Sequence, residues 1–252
     1  MPKSRSPIAA PDLRQLLGEL RAPLEVASFL LGAPQLRSLP PGDGHPVMFL
    51  PGFGMGDEAL SPMARAIERL GYAVYGWDQG RNLGLRQRTA ERVLERVLEL
   101  HGRHACAVSL VGWSAGGLYA REIARLRPDR VRCVFTLGSP LQPHGSGPQL
   151  VDLCRQWFDA FLATRGDPAL APNNAALHVP CIAIHSKSDG VVAWRAALQP
   201  DAPHTENLEV DGTHLGLGFN LAVLRIIAER LAQEPATTLP TAPRKRRRTV
   251  VR

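Results

Sequence analysis

Val108-Ser109-Leu110-Val111-Gly112-Trp113-Ser114-Ala115-Gly116-Gly117-Leu118-Tyr119-Ala120 joins a strand-like run to a helix-like run. The apolar residues before Gly112 read as a buried strand, and Leu118 to Leu126 as a helix. Between them the spacing is G-x-S-x-G. The chain must reverse within a few residues there, which puts Ser114 at the tip with its hydroxyl pushed out of the sheet. Side chains at Gly112 and Gly116 would collide with each other or with the neighbouring strand. The helix that follows points its free N–H groups at any negative charge developing beside the serine.

The flanking chain reads as strands alternating with helices. Pro46 to Leu50 reads as a buried strand, ending in the glycine-rich Pro51-Gly52-Phe53-Gly54-Met55-Gly56-Asp57. Helices are expected over Asp57–Leu70, Thr89–Leu100 and Asn220–Gln233. Further strands are expected over Tyr72–Trp77, Cys106–Val111, Val131–Leu137, Val179–Ile184 and Leu208–Val210. Asp78, which precedes Ser114 in the chain, reads as a residue that orders its loop.

Three regions stand apart from this body. Residues 1–40 form an N-terminal helical extension, with Asp12 capping one helix and a second over Leu24–Leu31. Its amphipathic faces suit a brace packed on residues 41–234, or contact with a membrane surface or lipid. Residues 141–178 differ in texture and read as a small helical cap over the catalytic side of the sheet. Trp157, Phe158 and Phe161 there line an acyl pocket or pack in a core, and both readings stand. Residues 235–252 read as a disordered basic tail.

Composition sets outer bounds. At 252 residues with 44% hydrophobic content, the chain suits one substantial domain. No apolar run reaches the ~18 residues of a membrane span. Acidic residues interrupt what would be a secretory leader, so a cytoplasmic protein is expected. The formal charge of +7 is mostly a tail property: six bases and no acids follow Pro235. Nucleic acid is therefore not expected as a partner. No C-x-x-C pair accompanies the four cysteines, and Cys106, Cys133, Cys154 and Cys181 read as small buried hydrophobes.

A serine hydroxyl needs a base, and the base needs a carboxylate to fix its tautomer. Ser114, Asp189 and His214 each follow an expected strand, in the order Ser, acid, His. Asp211 is the rival acid, three residues before His214 and therefore awkward in approach. His185 ends a strand, placed to support Asp189.

With Leu50-Pro51-Gly52-Phe53-Gly54, Gly112 to Gly117, Gly138-Ser139-Pro140, Ser188-Asp189-Gly190-Val191-Val192 and Gly212-Thr213-His214 in hand, the chain resembles the α/β-hydrolase superfamily, lipase/esterase type. The resemblance covers residues 47–233. It implies the α/β-hydrolase fold, an α/β architecture with a mostly parallel sheet flanked by helices and a small helical cap insertion, with the first two strands of larger members missing because residues 12–40 look helical. The glycine-rich loop after the first strand supplies the other oxyanion donor in that fold, so the amides of Phe53 and Ala115 form the expected pair. The usual His-Gly start of that loop is Pro51-Gly52 here, which matters little when a backbone amide does the work.

The function implied is hydrolysis of small-molecule carboxylic esters, with Ser114 as nucleophile, His214 as base and Asp189 as its partner. Trp113, Trp157 and Phe158 are candidate substrate contacts. No metal-ligand spacing is visible and no cofactor is expected. Two alternatives remain: an acyltransferase using the same triad, and a non-catalytic protein that binds through Arg244-Lys245-Arg246-Arg247-Arg248. Serine at the nucleophile position disfavours a dehalogenase. The small cap suits short or medium acyl chains.

Overall fold

The computed structural model describes residues 8–32, 38–84, 86–142 and 176–233. Most of the cap and the whole basic tail, with Trp157, Phe158, Phe161 and Cys154, lie outside these residues. Six parallel strands form one sheet: β1 (Pro46–Leu50), β2 (Ala73–Tyr75), β3 (Val108–Trp113), β4 (Val131–Leu137), β5 (Cys181–His185) and β6 (Thr205–Glu209). Their order across the sheet is β2-β1-β3-β4-β5-β6.

That order fixes the site. From β1 the chain first builds outward to β2, then crosses back to place β3 on the other side of β1. The connections after β1 and after β3 therefore diverge, and a crevice opens between their carboxyl ends. The loop containing Phe53 leaves one of these ends, and Ser114 leaves the other.

Helices cover both faces. α4 (Gln87–His104) and α5 (Ala115–Leu126) pack on one, α3 (Ser61–Arg69) and α6 (Leu221–Leu231) on the other. β1 shows how the sequence serves both layers. Met48 and Leu50 join the core under α4 and α5, while Val47 and Phe49 join the core under α3 and α6. All five residues of the strand are buried, so it reads as a continuous apolar run without alternation. β6 is an edge strand, and its sequence Thr-Glu-Asn-Leu-Glu is correspondingly polar.

α1 (Leu13–Gly18) starts with a capping box, in which Asp12 and Gln15 each accept the other's backbone N–H at 2.8 Å. A 3₁₀ turn, Glu19–Arg21, leads into α2 (Ala22–Leu31). No helix among the described residues is long and apolar enough to cross a membrane.

Several expected strand bounds need correction: β2 is shorter than Tyr72–Trp77, and β5 runs two residues later at its start and one at its end than Val179–Ile184. The strand expected from Cys106 begins at Val108, because Ala105 takes a left-handed conformation (φ 53°) and ends α4 late. Cys106 is consequently only half-buried, on the turn before β3. Cys133 and Cys181 are buried free thiols, and burial pushes Cys133 up to about 11. The strand expected over Leu208–Val210 starts earlier, at Thr205, since an edge strand shows little apolar pattern to mark its beginning.

Candidate active site

Ser114 follows the last residue of β3 and precedes the first residue of α5. Its backbone sits at φ 52° and ψ −118°, a region that costs a non-glycine residue about 1–3 kcal/mol. The strain is held from both sides: Ser114 N–H donates to Leu137 O at 2.8 Å, and Gly117 N–H donates to Ser114 O at 3.1 Å. A Cβ on Gly112 would lie 2.5 Å from Gly117 N. One on Gly116 would run into the carbonyls of Leu50 and Pro51 at the end of β1. The two glycines thus avoid different neighbours, one the elbow's own helix and the other the adjacent strand. Gly117, outside the five-residue motif, is equally confined, with Ser139 Oγ against the position of its missing side chain.

His214 lies in the loop after β6, and Asp189 in the loop after β5. Their side chains meet at 2.7 Å, His214 Nδ1 to Asp189 Oδ2, and both are almost fully buried. The other oxygen of Asp189 accepts backbone N–H bonds from Val191 at 2.8 Å and Val192 at 2.7 Å. The carboxylate is therefore fixed in position before any substrate arrives. Burial pushes the His214 pKa down, but the charge and hydrogen bond of Asp189, together with the charge of Glu19, outweigh it and hold the imidazole above its usual value. Asp211 does not compete: it is exposed, and it accepts a long 3.5 Å bond from Ser188 Oγ.

Gly138, at the end of β4, adjoins this pair. A Cβ there would come within 3.0 Å of both Asp189 Oδ2 and His214 Nδ1. Among the described residues no hydrogen bond joins Ser114 Oγ to the His214 ring. Such contacts often tighten only when substrate is bound.

The loop after β1 turns back over the elbow. A Cβ on Gly52 would stand 3.4 Å from Ser114 Cβ, so Phe53 follows within one residue of the nucleophile. Buried Asn82 holds the loop by three bonds: its side chain donates to Pro51 O, its N–H donates to Met55 O, and its carbonyl accepts from Gly54 N–H, all at 2.7–2.8 Å. Ala115 is the first residue of α5, where N–H groups lack partners within the helix. Asp78 is exposed, and its N–H donates to Asp57 at 3.1 Å, so it belongs to the turn after β2.

Trp113 is only 2% exposed, and its indole N–H donates to His214 O at 3.1 Å. It props the histidine loop from below. His185 stacks on Trp194 at 5.8 Å between ring centroids and makes no hydrogen bond to Asp189. Several residues of the site were not singled out from sequence. Asn82 holds the loop after β1, and Glu19, Glu25 and Gln15 reach the site from the N-terminal segment.

The alpha/beta hydrolase fold family model matches residues 45–175. A search of curated protein sequences gives no match. Solved structures with the same architecture include Aspergillus fumigatus lipase B (18% identity, TM-score 0.58, covering 76% of this chain and 53% of that one). They also include Bacillus licheniformis lipase BlEst2 (16%, 0.54, 77% and 94%) and Paleococcus ferrophilus monoacylglycerol lipase (15%, 0.52, 76% and 95%). This chain thus spans about half the length of the Aspergillus lipase and most of the other two. At these identities the likeness is one of fold. Because the matched segment runs from β1 through the elbow and takes in just over half the chain, this protein belongs to the alpha/beta hydrolase fold family.

Proposed function

We propose that the protein hydrolyses carboxylic esters through an acyl-enzyme on Ser114. The observation that carries this reading is the buried 2.7 Å His214–Asp189 pair, held on loops neighbouring a serine on a strained elbow. His214 accepts the Ser114 proton as the hydroxyl oxygen attacks the acyl carbon, and the carbonyl π electrons move to oxygen. The Phe53 and Ala115 amides donate to that oxyanion, each contributing about 3 kcal/mol of barrier lowering. Collapse of the intermediate breaks the ester C–O bond, and the imidazolium returns its proton to the departing alkoxide. Water then repeats the sequence to release acid and free Ser114. Asp189 keeps the proton of His214 on Nδ1, so that Nε2 is left to accept. The solved neighbours named as lipases support an ester as substrate.

The test is covalent labelling with a fluorophosphonate, located by peptide mass spectrometry, beside turnover of short p-nitrophenyl esters. Labelling at Ser114, with labelling and turnover both lost in Ser114→Ala, is the expected result. A folded wild-type protein that neither labels nor turns over would overturn the reading.

A further inference from the structure

The N-terminal segment is built inside out. Leu20 is 78% exposed and Leu24 72%, while Glu19 between α1 and α2 is only 8% exposed. α1 contributes no buried side chain at all, and α2 only Ala22 and Phe29. An amphipathic segment docked by its apolar face shows the opposite arrangement. Here the carboxylates point inward and make the attachment.

Their targets are the two catalytic loops. Glu19 Oε1 accepts N–H bonds from Gly190 and from His214, both at 2.8 Å, and Oε2 accepts one from Leu215 at 2.9 Å. One carboxylate therefore ties the residue after Asp189 to the backbone of His214 itself. Glu25 binds the preceding residue, accepting from Thr213 Oγ1 at 2.7 Å and Thr213 N–H at 3.0 Å. Gln15 Nε2 donates to Lys187 O at 2.8 Å, on the Asp189 loop. The loops are shaped for these visitors. A Cβ on Gly190 would strike the backbone of Gln15 and Leu16, and one on Gly216 would strike the Glu25 carboxylate.

We propose that Glu19 is a positioning residue of the proposed catalytic histidine, clamping the Asp189 and His214 loops together and placing a second negative charge behind the imidazole. Hydrogen bonds between an anion and backbone N–H groups are among the stronger ones available to a protein. Three of them converge here on loops that must hold a 2.7 Å side-chain bond in register. The charged groups facing His214 are Asp189 through Nδ1 and Glu19 from beneath the loop. Glu25 is engaged with Thr213, and Asp211 is turned outward to Ser188. Both charges that raise the His214 pKa favour the imidazolium formed during attack.

The inference rests on the Ser114–His214–Asp189 reading, so its test has one readout that does not. Glu19→Gln removes the charge at nearly constant size. We expect kcat for p-nitrophenyl esters to fall roughly ten- to a hundredfold with KM little changed. The acid limb of kcat should also move to lower pH, because a less basic imidazole is neutral over a wider range. The His214 titration, followed by NMR with labelled histidine in the intact chain, should shift the same way whether or not the protein turns over esters. Glu25→Gln should leave that titration in place. An unchanged titration with unchanged kcat would overturn the proposal. So would a lower melting temperature with no movement of the acid limb, which would make Glu19 a structural anchor only. Should Glu19→Gln fail to fold, Glu19→Asp keeps the charge and withdraws it by one methylene. It should lower kcat while leaving the titration near wild type, and unchanged kcat there counts against the proposal. Wild-type protein that fails to label at Ser114 while Glu19→Gln still shifts His214 would sink the hydrolase reading and leave the clamp standing.

Discussion

Among the described residues two Asp-His-Ser sets lie at opposite ends of the same sheet. At the carboxyl end lie Asp189, His214 and Ser114. Near the amino end, Asp43 binds His45 Nδ1, His45 Nε2 lies 2.9 Å from Ser109 Oγ, and Cys133 Sγ donates to Ser109 at 3.4 Å. By hydrogen bonding alone the second set is the more complete, since its serine already contacts its histidine. Yet Ser109 lies within β3, is wholly buried, and has its backbone in the sheet. No substrate carbonyl can approach it, and no spare amides surround it. Ser114 is five residues further along the same strand direction, where the chain has left the sheet. A serine gains a chance of reacting from backbone geometry and location, and only then from its histidine.

The charges around the two histidines differ in sign of effect. Burial pushes the His45 pKa down; Arg132, 3.6 Å from Asp43, adds to this, and together they outweigh the pull of Asp43. His214 faces two carboxylates and no such cation, and is held up. Replacing each histidine gives the widest separation between the sets. His214→Ala should lower kcat by about 10⁴-fold or more. His45→Ala should leave kcat within about twofold while costing roughly 2–4 kcal/mol of stability, through the cavity and the Ser109 hydroxyl left with only the weak Cys133 thiol contact. Ester turnover beside urea unfolding reads both. Loss of turnover in stably folded His45→Ala would erase the distinction between the two sets.

The elbow should respond more sharply to added volume than the strand that feeds it. Gly116→Ala presses a methyl into the Leu50 and Pro51 carbonyls, which are backbone and cannot rotate away. A loss of about 1–3 kcal/mol is expected, with slowed fluorophosphonate labelling as Ser114 is displaced. Ser109→Ala, a deletion at a buried site, should cost less and leave labelling unchanged. Equal labelling rates for Gly116→Ala and wild type would mean the elbow is not held as tightly as its contacts imply.

How far the sequence disclosed these two sets follows from what each is made of. β1 and β4 were readable to the residue because apolar runs end at proline and glycine. α4 runs to His104, beyond the expected Leu100, because its last turn is basic and carries no apolar period. Order and glycine-flanked loops pointed to Asp189 and His214, whose side chains meet at 2.7 Å. The clamp was not: Glu19 meets Gly190 and His214 through backbone N–H groups, 171 and 195 residues away, which every residue but proline offers. The Asp43–His45–Ser109 set escaped for a related reason. Its serine is an inward position on a strand, and nothing local marks which residue of a neighbouring strand it faces.

The smallest expected effect is also the most direct comparison of the two histidines. An unfolded histidine titrates near 6.5. His45 titrates below that in the folded protein, so on acidification the unfolded chain takes up its proton first and stability falls below pH 6.5. His214 titrates above it, so the folded chain keeps its proton longer. The stability this contributes is present below pH 6.5 and is lost as pH rises through the folded value. The two histidines therefore give opposite slopes on either side of pH 6.5. His185, also pushed down by burial, adds to the acid side. Urea midpoints measured across this range should show a shallower acid slope in His45→Gln and a shallower alkaline slope in His214→Gln. The reverse assignment would mean that Asp43, and not burial with Arg132, governs His45. The difference between the two sets would then lie in the backbone alone.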